Sequence, residues 1–303
     1  MAVAGAVQTL GAGAEVRPQR SGWLPYLLLL PGMAWLAVFF ALPIAVLFST
    51  SLMVPVEGGE VGEYAPALRW ANYAEAITTY WEQFVRSFGY GFLATVLALL
   101  IGYPLAYTIA VRARHRKLLQ QVLLVMVIAP FFVSFILRTI AWRQILADES
   151  VVVAVLKAVA ILPDDARLTA TPIAVVAGLT YNFLPFMTLP IYASLERLDT
   201  RLIEAGQDLY ASPLQTFRRV TLPLSMPGVV AGTLLTFIPA TGDYVNAALL
   251  GTSRTAMIGN VIDSRFFRVV DYPTAAALSF LLMGAIVLLV ALYVRRAGTE
   301  ELV

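Results

Sequence analysis

The sequence contains no cysteine and a single histidine, His115. Disulfide bridges, zinc sites and thiol or imidazole catalysis therefore have almost no material here, so neither an enzyme nor a metal site is expected. Charged residues make up 13% of the chain, against about a quarter in soluble proteins. The phosphate-binding pattern GxxxxGK followed by Ser or Thr is absent, so this chain is not expected to hydrolyse ATP by itself. We find no internal repeat, which leaves a transporter built from inverted repeats without support.

Apolar residues fill most of the sequence. They make up 59% of it, and the mean hydropathy is +0.78. Six uncharged runs reach the length of about 20 helical residues that crosses a hydrocarbon core of about 30 Å. The sequence therefore predicts an all-α integral membrane protein with six transmembrane helices. The predicted spans are Trp23 to Phe48, Ser87 to Val111, Leu118 to Trp142, Leu168 to Leu195, Met226 to Leu250 and Tyr272 to Val294.

The first apolar run is predicted to stay in the mature protein. It is longer than the apolar part of a cleaved signal peptide, which has about 7 to 15 residues. The segment before the second span, 70–84, carries aromatic residues near helical spacing and predicts a helix lying at the membrane surface.

The distribution of positive charge indicates which segments face the cytoplasm. Twelve of the 21 Lys and Arg residues lie in the N-terminal tail, the loop at 112–117, the interval at 196–225 and the C-terminal tail. Because cytoplasmic loops carry the excess of positive residues, both termini and the 196–225 interval are predicted to be cytoplasmic. The predicted domains are a disordered tail at 1–20, a six-helix membrane domain at 21–296 and a tail at 297–303.

The interval at 196–225 is polar, yet it carries helix signals. Asp199 and Thr200 are suited to cap a first short helix, because their side-chain oxygens accept from the free N–H groups of an opening turn. Ser212 and Gln215 have the spacing of a capping box around a second helix start. The Leu222-Pro223 pair is predicted to end that helix. The interval is therefore interpreted as a compact helix-turn-helix.

This interval also contains a recognisable motif. It reads Glu204-Ala205-Gly206, three residues, Tyr210, nine residues, then Val220-Thr221-Leu222-Pro223. The pattern resembles the EAA signature of bacterial ABC importer permeases, EAA-x3-G-x9-I-x-LP, with Gly206 and Tyr210 as its two departures. The resemblance implies the type I ABC importer permease fold, with a first helix that docks on the ATPase. It assigns ATPase coupling to Leu202, Ile203, Glu204, Ala205, Gly206, Asp208, Leu209, Tyr210 and Ser212.

Segments at 130–142, 181–199, 242–251 and 257–262 look like the spermidine/putrescine branch of that family. The branch implies a polyamine cargo delivered by a periplasmic binding protein. It also implies a second homologous permease and an ABC ATPase dimer that carries ATP and magnesium. This chain would then bind no cofactor, contact membrane lipid and contact no nucleic acid. The alternatives are another cargo on the same fold, namely ferric ion, thiamine or a sulfate-type anion, and a stand-alone channel or secondary carrier.

One acidic residue is predicted to lie within the membrane. Asp243 comes sixteen residues after Pro227, which is about 24 Å along a helix, and a break is predicted beside it near Pro239 and Gly242. An ionisable residue at that depth is expensive and is a functional candidate. The alternative is a carboxylate that is hydrated at the interface or paired with an arginine. The candidate path residues are Asp243, Tyr244, Asn246, Tyr181 and Asn182.

Overall fold

The structure is a computed structural model, and it describes residues 24–297. The predicted tails at 1–20 and beyond residue 297 lie outside the described residues. The chain divides into two compact units between Leu47 and Phe48. The first unit contains helix α1 (Leu24–Leu36), a π-helical turn (Ala37–Ala41) and most of α2 (Leu42–Ser51).

The second unit is helical apart from one short β-hairpin. Its strands are β1 (Met53–Pro55) and β2 (Tyr64–Pro66), which pair antiparallel. The long helices are α3 (Ala71–Tyr107), α7 (Pro172–Glu196), α10 (Leu222–Thr241) and α13 (Tyr272–Ala297). The shorter helices are α4 (Lys117–Ile128), α5 (Phe135–Ile145), α6 (Val151–Ala158), α8 (Thr200–Asp208), α9 (Pro213–Thr216), α11 (Val245–Leu250) and α12 (Ile258–Asp263).

Five helices of the described residues are long and apolar enough to cross a membrane, and a bent pair raises the number to six. The pair is the predicted third span, which is broken rather than continuous: its halves meet at an angle of 102°. Pro130 lies in a 3₁₀ turn after α4, and Val133 and Ser134 are then extended, with ψ angles of 137° and 136°. The sequence located this span within a few residues of the pair's ends but did not predict the bend, which follows a proline without a backbone N–H.

The segment predicted to form a helix before the second span is helical. Helix α3 starts at Ala71 and, with the π-helical turn Thr108–Arg112, forms one helical stretch of 42 residues that includes a window apolar enough to cross a membrane. Tyr80 departs from helical geometry, with φ −114° and ψ 19°, so a kink divides this stretch within the predicted segment. The second span was predicted to begin at Ser87, and the helix that contains it begins earlier.

The core of the second unit forms where α3, α7 and α10 pack together, and α13 packs on α3. The helices approach closely where small residues meet. A Cβ atom added at Gly228 of α10 would lie 2.6 Å from the carbonyl oxygen of Pro190 in α7. Small residues at helix interfaces allow this approach in membrane proteins, where packing rather than a hydrophobic drive holds helices together.

Candidate functional site

The polar interval forms the first of two candidate sites. Helix α8 begins where predicted, since the Asp199 carboxylate accepts a hydrogen bond of 3.0 Å from the N–H of Arg201. The Ser212 capping box is confirmed as well: Gln215 N–H donates to Ser212 Oγ at 3.3 Å, and Ser212 N–H donates to Gln215 Oε1 at 2.9 Å. Local side-chain bonds therefore fix two helix starts that are thirteen residues apart.

The turn between these starts contains the departure at Tyr210. Its backbone is left-handed, with φ +57°, and the N–H of Ala211 donates to the carbonyl oxygen of Gly206 at 3.1 Å. This is the bond pattern of a Schellman turn, in which glycine is the usual left-handed residue. The Tyr210 side chain is 98% exposed, so the turn keeps the geometry of the motif while an aromatic ring faces outward.

Helix α8 packs against the helix that follows the turn. A Cβ atom at Gly206 would lie 3.1 Å from Thr216 Cγ2, so a small residue is needed at this contact. Five residues of α8 and the turn after it are exposed in the described part of the chain: Leu202, Glu204, Ala205, Asp208 and Leu209. Glu204 and Asp208 lie on the side of the helix away from Gly206, whereas Leu202 and Leu209 lie near the Gly206 face. The side chains of Thr200 and Ile203 lie outside the described residues. Leu202 and Leu209 thus expose apolar surface on one side of α8, and contiguous exposed apolar surface marks protein interaction sites.

The second helix does not end at Leu222-Pro223 as predicted. It runs from Pro213 through a π-helical turn, Phe217–Thr221, into α10 as one stretch of 29 residues. In the π-helical turn the N–H of Leu222 donates to the carbonyl oxygen of Phe217. Pro223 is then at the start of a new hydrogen-bond register, where its missing N–H is tolerated. The predicted helix-turn-helix is therefore the end of a membrane helix preceded by one free helix.

The second candidate site lies at the other end of α10. The helix continues through Pro239 to Thr241 and breaks at Gly242, so the predicted break is confirmed at the glycine but not at the proline. Asp243 follows and is only 8% exposed. One of its carboxylate oxygens accepts a bond of 2.7 Å from the N–H of Asn246, which caps α11. Among the side chains that the structure describes, no arginine forms an ion pair with this carboxylate.

The structure brings two of the predicted path residues into direct contact. Asn182 of α7 and Asn246 of α11 are fully buried, and Asn182 Nδ2 donates to Asn246 Oδ1 at 3.0 Å. Thr139 of α5 joins them: it accepts from Asn182 at 3.1 Å and lies 3.3 Å from Asn246 Oδ1. Asn182 Oδ1 and Asn246 Nδ2 have no hydrogen-bond partner within the described part of the chain. Three helices are therefore joined by a polar cluster directly behind Asp243.

The remaining two path candidates are aromatic. Tyr244 is 49% exposed, and its carbonyl oxygen accepts from Asn260 Nδ2 at 2.7 Å, which links α11 to α12. The Tyr181 ring contacts Trp142 edge-on, with 5.3 Å between centroids. Thr139 was missed from the sequence because a threonine within an apolar run gives no signal by itself. Over residues 24–297 no group of three or more His, Cys, Asp or Glu side chains could hold a metal ion.

The family of the chain follows from its sequence. Residues 102–297 match the binding-protein-dependent transport system inner membrane component. The chain belongs to this family. It is therefore a multi-pass transport component of the inner membrane and not an enzyme.

Similar proteins match this permease over nearly its whole length. It is 35% identical over 283 residues to the spermidine/putrescine transport system permease protein PotB of Haemophilus influenzae, with 90% of each chain covered. It is 34% identical over 264 residues to PotB of Escherichia coli K12, covering 87% of this chain and 94% of that one. A solved bacterial ABC transporter that imports the polysaccharide alginate has the same fold, with a TM-score of 0.68 at 19% identity, over 91% of this chain and 95% of that one. The predicted fold of an ABC importer permease is confirmed.

Proposed function

We propose that this permease is the transmembrane subunit of an ATP-driven importer of polyamines, with spermidine or putrescine as cargo. The observation that carries the proposal is its identity of 35% and 34% to two spermidine/putrescine permeases, over 87% or more of this chain. A likeness of that extent includes both candidate sites.

The chemistry around Asp243 supports a cationic cargo. A carboxylate that has no positive partner among the described side chains, placed at a helix break, attracts an ammonium group. The half-exposed ring of Tyr244, the next residue, adds a face for a cation–π contact. Asn246 holds Asp243 through its backbone N–H, and Asn182 in turn holds Asn246. In this proposal Asp243, Tyr244 and Tyr181 line the path, and the two asparagines fix it.

The coupling site supports the motor arrangement. The exposed surface of α8 docks on an ABC ATPase dimer, which holds ATP and magnesium, while this permease binds no cofactor. A second homologous permease completes the path, and a periplasmic binding protein delivers the cargo at the end where α11 lies. Both termini and the 196–225 interval face the cytoplasm, lipid covers the outer helix faces, and no nucleic acid takes part. ATP binding closes the ATPase dimer, α8 moves with it, and the path changes from inward-facing to outward-facing.

ATP hydrolysis by the reconstituted complex tests this function. The permease is reconstituted in proteoliposomes with its ATPase, second permease and binding protein, and hydrolysis is measured with spermidine, putrescine, thiamine, ferric ion or sulfate. We expect stimulation by a polyamine alone. Stimulation by one of the other three would keep the importer and reject the cargo. If no ATPase co-purifies with the permease, the coupling role of α8 is rejected.

A further inference from the structure

An arginine side chain from a different loop binds the backbone just before α8, the helix with the proposed coupling role. Arg114 lies between α3 and α4, and its Nη1 donates to the carbonyl oxygen of Leu198 at 3.0 Å. Its Nη2 lies 3.5 Å from the carbonyl oxygen of Glu196, the last residue of α7. Both acceptors belong to the junction between α7 and α8. The guanidinium group therefore binds two carbonyl groups at the negative end of the α7 dipole, where a cation is favoured.

The loop that carries Arg114 is itself fixed. The N–H of Ala113 donates to the carbonyl oxygen of Thr108 at 2.8 Å, and the N–H of Arg116 donates to that of Ala113 at 2.8 Å. Ala113 is buried, so the turn is anchored in the protein rather than free in solvent. Arg114 therefore connects the junction to a tight turn that is continuous with α3 on one side and α4 on the other.

Side chains near the end of α7 form a second link to α4. The Glu196 carboxylate accepts from Tyr192 Oη at 2.7 Å, within its own helix. Gln120 of α4 donates to the same Tyr192 Oη at 3.4 Å. The end of α7 thus contacts α4 directly and is joined to the α3–α4 loop through Arg114.

We propose that Arg114 is a positioning residue for energy coupling, which transmits displacement of α8 to α3 and α4. The inference rests on the proposed coupling role of α8 and names a second route away from it. Along the backbone, α8 connects only to α7 and, through α9, to α10. Through Arg114 the same displacement reaches α4 and the bent pair that it forms with α5. Helix α5 carries Thr139, which bonds Asn182 and Asn246 behind Asp243.

The test compares Arg114→Gln with Arg114→Lys and with the control Arg116→Gln in the complete reconstituted importer. Arg116 is an exposed cation in the same loop, two residues away. The measured quantities are ATPase co-purification, ATP hydrolysis without substrate, and radiolabelled spermidine taken up per ATP hydrolysed. For Arg114→Gln we expect uptake per ATP to fall about fivefold or more, which is the lower end of coupling between sites, while the ATPase still co-purifies. For Arg114→Lys we expect most of the uptake per ATP to remain, because an ammonium group still reaches one carbonyl oxygen. For Arg116→Gln we expect uptake per ATP to equal that of the unmodified permease.

Three results would overturn the inference. Uptake per ATP is unchanged in Arg114→Gln, or uptake and hydrolysis fall together at a constant ratio, as loss of folded complex would give. The third result is an equal fall in uptake per ATP for Arg116→Gln, which would show that the charge of the loop, and not the bonds of Arg114, causes the effect. If the ATPase does not co-purify even with the unmodified permease, the coupling role of α8 fails instead, and the two failures are thereby distinguished.

Discussion

At the scale of single residues, the carboxylate group of Asp243 combines a hydrogen-bond acceptor with a negative charge. Its oxygen caps α11 through Asn246 N–H, and its charge has no positive partner among the described residues. The acceptor and the charge are separable, because an asparagine oxygen still accepts the hydrogen bond. We predict that Asp243→Asn lowers spermidine uptake about tenfold or more, since an ion pair in a partly buried site is worth several kcal/mol. Its thermal stability and binding-protein docking should stay close to those of the unmodified permease.

The comparison variant is Asp243→Ala, which removes both the hydrogen-bond acceptor and the charge. It should lose uptake to the same extent and also lose about 1 kcal/mol of stability, as for other cap deletions. The matched control is Asp263→Asn, which neutralises an acidic residue at the end of α12. Uptake by Asp243→Asn equal to that of the control would show that the charge of Asp243 has no role in transport.

Local contacts of residues were predictable from the sequence, and distant ones were not. The Asp199 cap and the Ser212 capping box join residues two or three positions apart, so their spacing is visible in the sequence. The backbone of Tyr210 was not predicted: the motif has glycine at this position, and the structure shows that tyrosine adopts the left-handed conformation there. The bond between Asn182 and Asn246 and the bond from Arg114 to Leu198 join residues 64 and 84 positions apart. Such contacts depend on how helices pack, and a single sequence does not specify that.

At the scale of helices, the crossing of α7 and α10 depends on Gly228. A methyl group there would meet the backbone oxygen of Pro190 at 2.6 Å, and backbone cannot yield as a flexible side chain can. We predict that Gly228→Ala destabilises the folded permease by about 1 to 3 kcal/mol, the usual cost of overpacking a core. The measurement is the apparent melting temperature of the purified complex in detergent, together with its yield.

Gly284 of α13 provides the control. A Cβ atom at Gly284 would meet no atom within 4 Å, so Gly284→Ala should leave the melting temperature unchanged or raise it slightly. Equal melting temperatures for the two alanine variants would show that the close approach of α7 and α10 does not limit stability.

Helix positions were largely predictable, while helix interruptions were not. The apolar runs located the long helices within a few residues at most ends, because length and hydropathy are the main signals of a membrane helix. Prolines led both to a missed helix break and to predicted helix interruptions that are absent. Pro130 lies at a break of 102° that was not predicted, whereas Pro223 and Pro239 lie in helices where an end or a break was predicted. A proline removes one hydrogen bond, and neighbouring helices decide whether the chain bends there.

At the scale of the whole molecule, the bond between Arg114 and Leu198 bears on whether α4 and α5 together form one membrane crossing. It places the loop after α3 and the end of α7 at the same end of the second unit. Helix α7 is long enough to span the membrane, so its first residue, Pro172, lies at the opposite end. The chain between them must therefore cross an odd number of times, and α4 with α5 is the part of it that is long and apolar enough to cross. The count of six predicted from the sequence follows.

This count predicts which segments a reagent can reach. Because the chain has no cysteine, single variants such as Glu60→Cys, His115→Cys and Leu209→Cys introduce the only thiol. In right-side-out vesicles, a membrane-impermeant maleimide should label Glu60→Cys, in the β-hairpin loop. The other two variants should be labelled only after permeabilisation. Labelling of His115→Cys and Leu209→Cys from opposite sides would contradict the six-crossing count.

The π-helical turn at Phe217–Thr221 shifts the helical phase between the segment beside α8 and α10. Such a turn holds one residue more than an α-helical turn, and one residue corresponds to about 100° of rotation and about 1.5 Å of rise. Residues before Phe217 and after Thr221 are therefore out of phase by that angle. If the turn tightened to α-helical geometry, all of α10 would rotate and advance relative to the segment beside α8. A small displacement at the ATPase end would then rotate Gly242 and Asp243 about the helix axis as well as move them along it.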